Sequence, residues 1–341
     1  MKTYKNLSFQ KGKNHLKVLV TGGTGFIGSH LVEALIRRGI EVRCLLRKGS
    51  NLKWLKGLSI EEVYGDCSDP ASLTEAVKDV DQVFHLAGVT KAVKEETYFR
   101  VNAFGTDNLI HACLANKVRL QRFIYISSQA AAGPCRNGRR KTESDECQPL
   151  SPYGQSKRMG EDLAMAHRHE IPLVILRPCA VYGPRDTDMF AYFKLVSRRI
   201  KPCFFGEDQY YSLCYVEDVV QAILLAAYGR ESEGEIFFVS DGHAYRMEEI
   251  GDAFAGALEI KAVRIRVPKE ILFGIASFSE YLSKLSGKPS LISKGKAEEM
   301  VQCNWGCDIT KARTLLGFEP SVTLSEGAKR TADWYKKENW L

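Results

Sequence analysis

An α/β fold is predicted, a doubly wound parallel sheet with a smaller C-terminal lobe, and three observations predict it. From about Leu16 to Ala180 short β-branched runs alternate with segments of helical period, the pattern of a parallel sheet covered by helices. Within it, residues 17–38 place an apolar run, a glycine-rich turn and an amphipathic stretch directly one after another. After Tyr182-Gly183-Pro184 the alternation loosens. Residues 1–180 are therefore expected to form the first domain and 181–341 mainly the second lobe, with some segments returning to the sheet.

Taken in order, the strands are expected at KVLV (17–20), EVRCLL (41–46), EEVYG (61–65), QVFHLA (82–87), RFIYIS (122–127) and PLVILRP (172–178). These six suffice for a doubly wound sheet. Helices near 26–38, 70–78, 96–116 and 153–169 supply the crossovers that parallel pairing requires. Further helices are expected near 217–229, 246–257, 268–286 and 325–338 in the second lobe. No internal repeat or low-complexity tract interrupts the chain.

At 341 residues the chain exceeds the size at which one core keeps growing, which suits a large domain with an added lobe. Its 45% apolar and 26% charged residues exclude disordered and fibrous classes. The net charge of +7 suits an anionic ligand, but the Lys and Arg residues form no dense block, so no nucleic-acid partner is expected. Ten cysteines lie at irregular spacings, several (Cys113, Cys179, Cys214) in apolar runs where a reduced thiol acts as a small hydrophobe. This usage points to a reducing, cytoplasmic compartment. Cys303 and Cys307 are the closest pair, yet no second pair or His follows at zinc-ligand spacing, so no metal is expected. The basic N-terminus is followed only by KVLV, too short for a signal-peptide core. No stretch reaches the roughly 18 to 20 apolar residues that span a bilayer.

The chemistry begins in KVLVTGGTGFIGSHLVEALIRRG, where Gly22, Gly25 and Gly28 follow a strand and open a helix. Gly22 suits the tight turn, Gly25 lets backbone approach a pyrophosphate, and Gly28 permits close helix packing, while the helix N-terminus offers amide donors. A second strand ends about twenty residues later at Leu45-Leu46, which completes a Rossmann dinucleotide-binding unit. Thr24, Phe26 and Ile27 share this turn and belong to the expected cofactor-binding set. At the end of the second strand an acidic residue would accept from ribose hydroxyls, whereas Arg binds a 2′-phosphate. This chain has Arg47-Lys48, so NADP(H) is favoured over NAD(H), a solvated basic turn being the alternative. Asp66, followed by Cys67, is placed to meet the adenine, or forms a plain turn. Leu86, Ala87 and Gly88 close the fourth strand, where small residues let a cofactor lie against the sheet.

Tyr153 and Lys157 are one helical turn apart and project from one face. A phenol is a poor base at neutral pH, but an adjacent ammonium and a positive nicotinamide ring favour its ionised form. Tyr153 is thus placed to exchange a proton with a substrate hydroxyl or carbonyl as hydride moves. The pair follows the fifth strand, which ends Tyr125-Ile126-Ser127-Ser128 at the carboxyl edge where open sheets hold ligands. Ser128 is placed to donate to the reacting oxygen.

In that order TGGTGFIG, HLAG, VNAFGT, YISS, SPYGQSK, LRPCAVYGP and YVEDVV resemble the extended short-chain dehydrogenases/reductases, the NAD-dependent epimerase/dehydratase group, over essentially the whole chain. The resemblance implies that Tyr153 is the catalytic acid/base, that Lys157 holds the nicotinamide ribose and lowers the tyrosine pKa, and that Ser128 orients the substrate. Ser127 is the rival serine; the family places its catalytic Ser or Thr about 25 residues before the Tyr, which selects Ser128. Asn102, Pro178 and Val181 complete the expected cofactor-binding set, with helix packing as the other explanation for Asn102. A homodimer is implied too, through the helices near 96–116 and 153–169.

Nucleotide-sugar members of the group carry an Asn after the sixth strand and an Arg before the YVxD segment, both used on a diphosphate. This chain has Ala180 and Tyr211 there, with Arg185 and Arg198 as substitutes from elsewhere. The second lobe also contains VPKEILFGIASFSEYLSKLSGK, which resembles segments of the hydroxysteroid-dehydrogenase-like and dihydroflavonol-reductase-like branches. It reads as a core-packed or dimer-contact helix, or as a lipid-facing lid. The expected function is NAD(P)-dependent interconversion of a secondary alcohol and a ketone on an apolar or sugar-like small molecule. The alternatives are a nucleotide-sugar epimerase or dehydratase with transiently reduced NAD, and a catalytically silent dinucleotide-binding scaffold or sensor. The presence of Ser128, Tyr153 and Lys157 favours an enzyme.

Overall fold

The structure, a computed structural model, describes residues 16–118, 120–135, 139–204, 209–290, 292–302 and 304–341. The basic N-terminal stretch and Cys303 of the Cys303/Cys307 pair lie outside the described residues.

The central sheet comprises β1 (Lys17–Thr21), β2 (Glu41–Leu46), β3 (Ile60–Tyr64), β4 (Gln82–His85), β5 (Arg122–Ile126), β6 (Leu173–Pro178) and β7 (Ile236–Val239). All pairings are parallel, in the order β7-β6-β5-β4-β1-β2-β3. The chain builds outward through β3 and then crosses to β4 on the far side of β1. The strand order therefore reverses between β1 and β4, and their carboxyl ends flank the crevice where such sheets bind ligands.

Both faces of the sheet are covered, as parallel strands require. Along β1 the side chains alternate: Val18 and Val20 pack with Leu31, Val32 and Leu35 of helix Phe26–Ile36, while Leu19 packs on the other face with Leu109, Ile110 and Cys113 of helix Gly105–Ala115. Two sequence expectations need correction here. The sheet has a seventh strand, β7, which pairs its Phe237 with Leu176 of β6. The helix expected over 96–116 is three pieces, Glu95–Tyr98, the wider-turned Phe99–Phe104 and Gly105–Ala115. The wide turn buries Asn102 and Ala103.

Between β6 and β7 the chain leaves the sheet, forms part of the lobe, and returns through helix Val216–Tyr228, whose Val219, Ile223 and Ala226 join the first-face core. The lobe has its own aromatic core of Tyr182, Phe193, Phe254 and Tyr335. Asp218, within YVEDVV, fastens lobe to sheet: it is fully buried and accepts from Ser321 N (3.1 Å), Ser321 Oγ (2.9 Å) and Val322 N (3.0 Å). No helix among the described residues is long and apolar enough to cross a membrane. Nine cysteines lie among the described residues, eight of them buried.

Candidate active site

The glycine turn is shaped for a close backbone approach. Gly22 sits at φ +71, in the left-handed region, and a Cβ there would lie 2.7 Å from Ala87 N and Leu86 C. Gly28 packs so tightly on the turn that a Cβ would overlap Gly22 O. Gly25 is the exposed N-cap of helix Phe26–Ile36 and offers no capping side chain, and the first turn holds no acidic residue. The first-turn amides have no partner within the helix and point outward at its positive end. This donor set fits the pyrophosphate of a dinucleotide.

Around the turn, Thr24, Phe26, Ile27, Leu86 and Ala87 are half-buried and Gly88 is exposed. At the end of β2, Arg47 is exposed, and its charge reaches the Cys67 thiol. Asp66 accepts from Ser68 N (2.8 Å) and Ser68 Oγ (2.7 Å). Cys67 is buried, and its carbonyl receives Asn108 Nδ2 at 2.9 Å. Pro178 ends β6 buried, and half-buried Val181 lies in the short strand that follows.

Beneath the crevice runs a buried polar relay that the sequence reading did not pick out. Thr21 Oγ1 shares a hydrogen bond with His85 Nδ1 (2.7 Å), and His85 Nε2 with Thr106 Oγ1 (3.0 Å). Burial holds His85 at about 3, so the ring stays neutral. Asn102, fully buried, takes Val89 N on its Oδ1 (2.8 Å) and donates to Val89 O (3.0 Å) and Ser156 Oγ (3.0 Å). It thereby ties the loop after β4 to helix Pro152–Ala166. Gly160 of that helix leaves room for Tyr125 and for the Asn102 carbonyl, each within 2.7 Å of an added Cβ.

Helix Pro152–Ala166 begins at Ser151, whose Oγ accepts from Gly154 N (3.0 Å) and donates to Glu299. Ser128, just past β5, caps the short helix that follows, its Oγ accepting from Ala130 N at 3.1 Å, and lies close enough to influence the Tyr153 hydroxyl. Burial pushes the Tyr153 hydroxyl up to about 12, and Ser128 acts against the rise. Tyr98 meets the Tyr153 ring edge-on, centroids 6.3 Å apart. Ser127 Oγ is buried without a hydrogen-bond partner among the described residues. Lys157 is buried on the same helix face, yet its Nζ donates to Ile126 O (2.7 Å) and stands 4.3 Å above the Tyr125 ring. Burial draws Lys157 down to about 7, and the Glu161 charge supports its ammonium form. Glu161 in turn makes a fully buried bidentate pair with Arg177 of β6, at 2.9 and 2.6 Å.

Of the four positions weighed for a diphosphate, two bring no cation. Ala180 is exposed, and the Tyr211 hydroxyl is bonded to Met300 O at 3.1 Å. Arg185 is paired with Glu33, and Arg198 is exposed on the lobe. A cluster with metal-ligand types, Asp107, His111 and His167, has its ligand atoms within 4.8 Å of one another, and none of Ser128, Tyr153 or Lys157 belongs to it.

The profile of the NAD dependent epimerase/dehydratase family matches residues 18–239, from β1 to β7. The chain belongs to this family. A ceramide reductase of Caulobacter vibrioides is 31% identical over 326 residues, covering 95% of this chain and 96% of that protein. A 3-beta-hydroxysteroid dehydrogenase of Mycolicibacterium neoaurum is 28% identical over 340 residues, covering 94% and 91%. Among solved structures, MoeE5 in complex with UDP-glucose and NAD superposes with a TM-score of 0.75 at 25% identity, covering 95% of this chain and 99% of that one. This epimerase/dehydratase-family member is an NAD-dependent oxidoreductase/epimerase of the extended short-chain dehydrogenase type, built on the Rossmann fold.

Proposed function

We propose that the protein interconverts a secondary alcohol and a ketone on an apolar small molecule, with Tyr153 as general acid/base and NADP(H) favoured over NAD(H). The observation that carries the reading is the placement of Ser128 near the Tyr153 hydroxyl, with Lys157 on the same helix face, at the carboxyl edge of β5 beside the crevice that the glycine turn opens. Bound in that crevice, the nicotinamide supplies the hydride donor or acceptor. Ser128 donates to the substrate oxygen and Tyr153 gives that oxygen a proton in reduction or takes one in oxidation. Lys157 holds the ribose and, once charged, favours the tyrosinate. Asn102 positions the loop after β4 against the helix, and residues 181–341 supply most of the substrate lobe.

The relatives named for ceramide and hydroxysteroids support an apolar substrate. Against a nucleotide sugar stand Ala180 and Tyr211, together with the commitment of Arg185 to Glu33. Exposed Arg47, where a ribose-binding carboxylate would stand, supports the 2′-phosphate. A thermal-shift series tests the pairing of cofactor and substrate, since a bound ligand raises apparent stability by mass action. NADP is expected to raise the midpoint more than NAD, with UDP-sugars adding nothing. A larger shift with NAD, or a further rise with a UDP-sugar, would overturn the reading.

A further inference from the structure

Helix Lys269–Ser286 buries Leu272 and Ala276 against Ala297, with Phe273, Ile292 and Met300 packed around them. An ordinary surface helix turns polar residues outward. This one turns out Ile271, Ile275, Phe278, Tyr281, Leu282 and Leu285, with exposures from 47% at Leu282 to 69% at Leu285. Their spacings of three and four place them on one outward ridge along the helix. Glu270, Ser277 and Lys284 form an exposed polar strip beside it, with exposed Lys269 and Ser286 at the two helix ends. Single exposed apolar residues are ordinary, but a contiguous row marks a binding surface.

The charge around this ridge is as uneven as its hydrophobicity. Residues 261–296 hold eight Lys or Arg and two Asp or Glu, and so carry six of the chain's seven net positive charges. Lys284, Lys288 and Lys294 are exposed around its C-terminal end. Arg264 is paired with Glu248. The acidic pair that follows, Glu298-Glu299, subtracts little from the outer surface, because Glu299 is buried and bonded to Ser151.

We propose that this ridge docks the protein on an anionic lipid bilayer, its apolar side chains entering the headgroup–acyl boundary and its lysines meeting lipid phosphates. A second copy fits less well, because a two-fold contact would set the same basic stretch against itself. The ridge also lies one helix from Tyr153. Lys294 N, at the start of helix Lys294–Met300, donates to Glu280 Oε1 of the ridge helix at 2.7 Å. Gly295 packs against Pro152 and Ser151, so that an added Cβ would stand 3.1 Å from each. Docking therefore turns the start of the Tyr153 helix towards the membrane, where an apolar alcohol or ketone resides. The binding itself does not rest on the redox reading.

The test is co-sedimentation of the full chain, without cofactor, on vesicles of phosphatidylcholine alone or mixed with phosphatidylglycerol. The chain is expected to pellet with the anionic vesicles, less as salt is raised. The double variant Phe278→Ser/Leu285→Ser is expected to lose binding by about tenfold while keeping its thermal midpoint. Wild-type protein left in the supernatant with both vesicles, or a variant that binds as well as wild type, overturns the proposal. So does a dimer in sedimentation velocity that the double variant dissociates, which would assign the ridge to a second copy. No turnover is read, so failure of the redox reading would leave these outcomes unchanged.

Discussion

Tyr153→Phe is expected to lower kcat about a thousandfold, within the range that general acid–base catalysis contributes, while leaving cofactor-induced thermal stabilisation nearly unchanged. The phenyl ring keeps its edge contact with Tyr98, but the hydroxyl that exchanges a proton and lies near Ser128 is gone. The wild-type pH profile carries the same signature. Oxidation needs the tyrosinate, so its rate rises as pH climbs towards the hydroxyl's ionisation. Reduction needs the phenol and falls over the same range. Burial, which raises the hydroxyl to about 12, places that range on the alkaline side, and a charged Lys157 brings it towards neutrality. In Tyr153→Phe the alkaline rise in oxidation disappears. A variant retaining wild-type kcat would remove Tyr153 from the chemistry.

The largest loss of stability is expected from Glu161→Gln. Glu161 and Arg177 are each about 1% exposed at the side chain, and among the described residues Glu161 is the carboxylate that ion-pairs with the guanidinium. Removing one member of such a pair strands a buried charge and costs about 3–5 kcal/mol. Replacing both, as Glu161→Met with Arg177→Met, should recover most of that loss, because two apolar side chains leave nothing uncompensated. Urea denaturation reads both values. The single variant should also pull Lys157 further below about 7, since the Glu161 charge is what supports its ammonium. A single variant within about 1 kcal/mol of wild type would show that water reaches the pair.

Local patterns account for what the sequence made legible. The glycine turn declared itself because strand, turn and helix are contiguous, and in the structure Gly22 sits at positive φ while Gly28 packs on the turn. β7 escaped because Ile236–Val239 is four residues of apolar chain whose partner, β6, is made about sixty residues earlier, and no local period encodes that return. The His85 relay escaped for a similar reason: its members come from β1, β4 and the helix after Asn102. Arg177 did leave a signal, a lone cation within the apolar run LVILRP, and Glu161 stands one turn beyond Lys157 on the same helix face. Helix Lys269–Ser286 shows the limit of pattern reading, since apolar residues on both sides fit a buried helix as well as one that meets a lipid surface.

The central claim is net alcohol–ketone redox chemistry at the Ser128–Tyr153 pair, and absorbance at the reduced-nicotinamide band tests it most directly. Wild-type protein mixed with NADPH and a panel of apolar ketones should consume the reduced cofactor continuously, and Tyr153→Phe should not. A cofactor that stays bound with no net change in absorbance, while a UDP-sugar is converted to its epimer, would contradict the account.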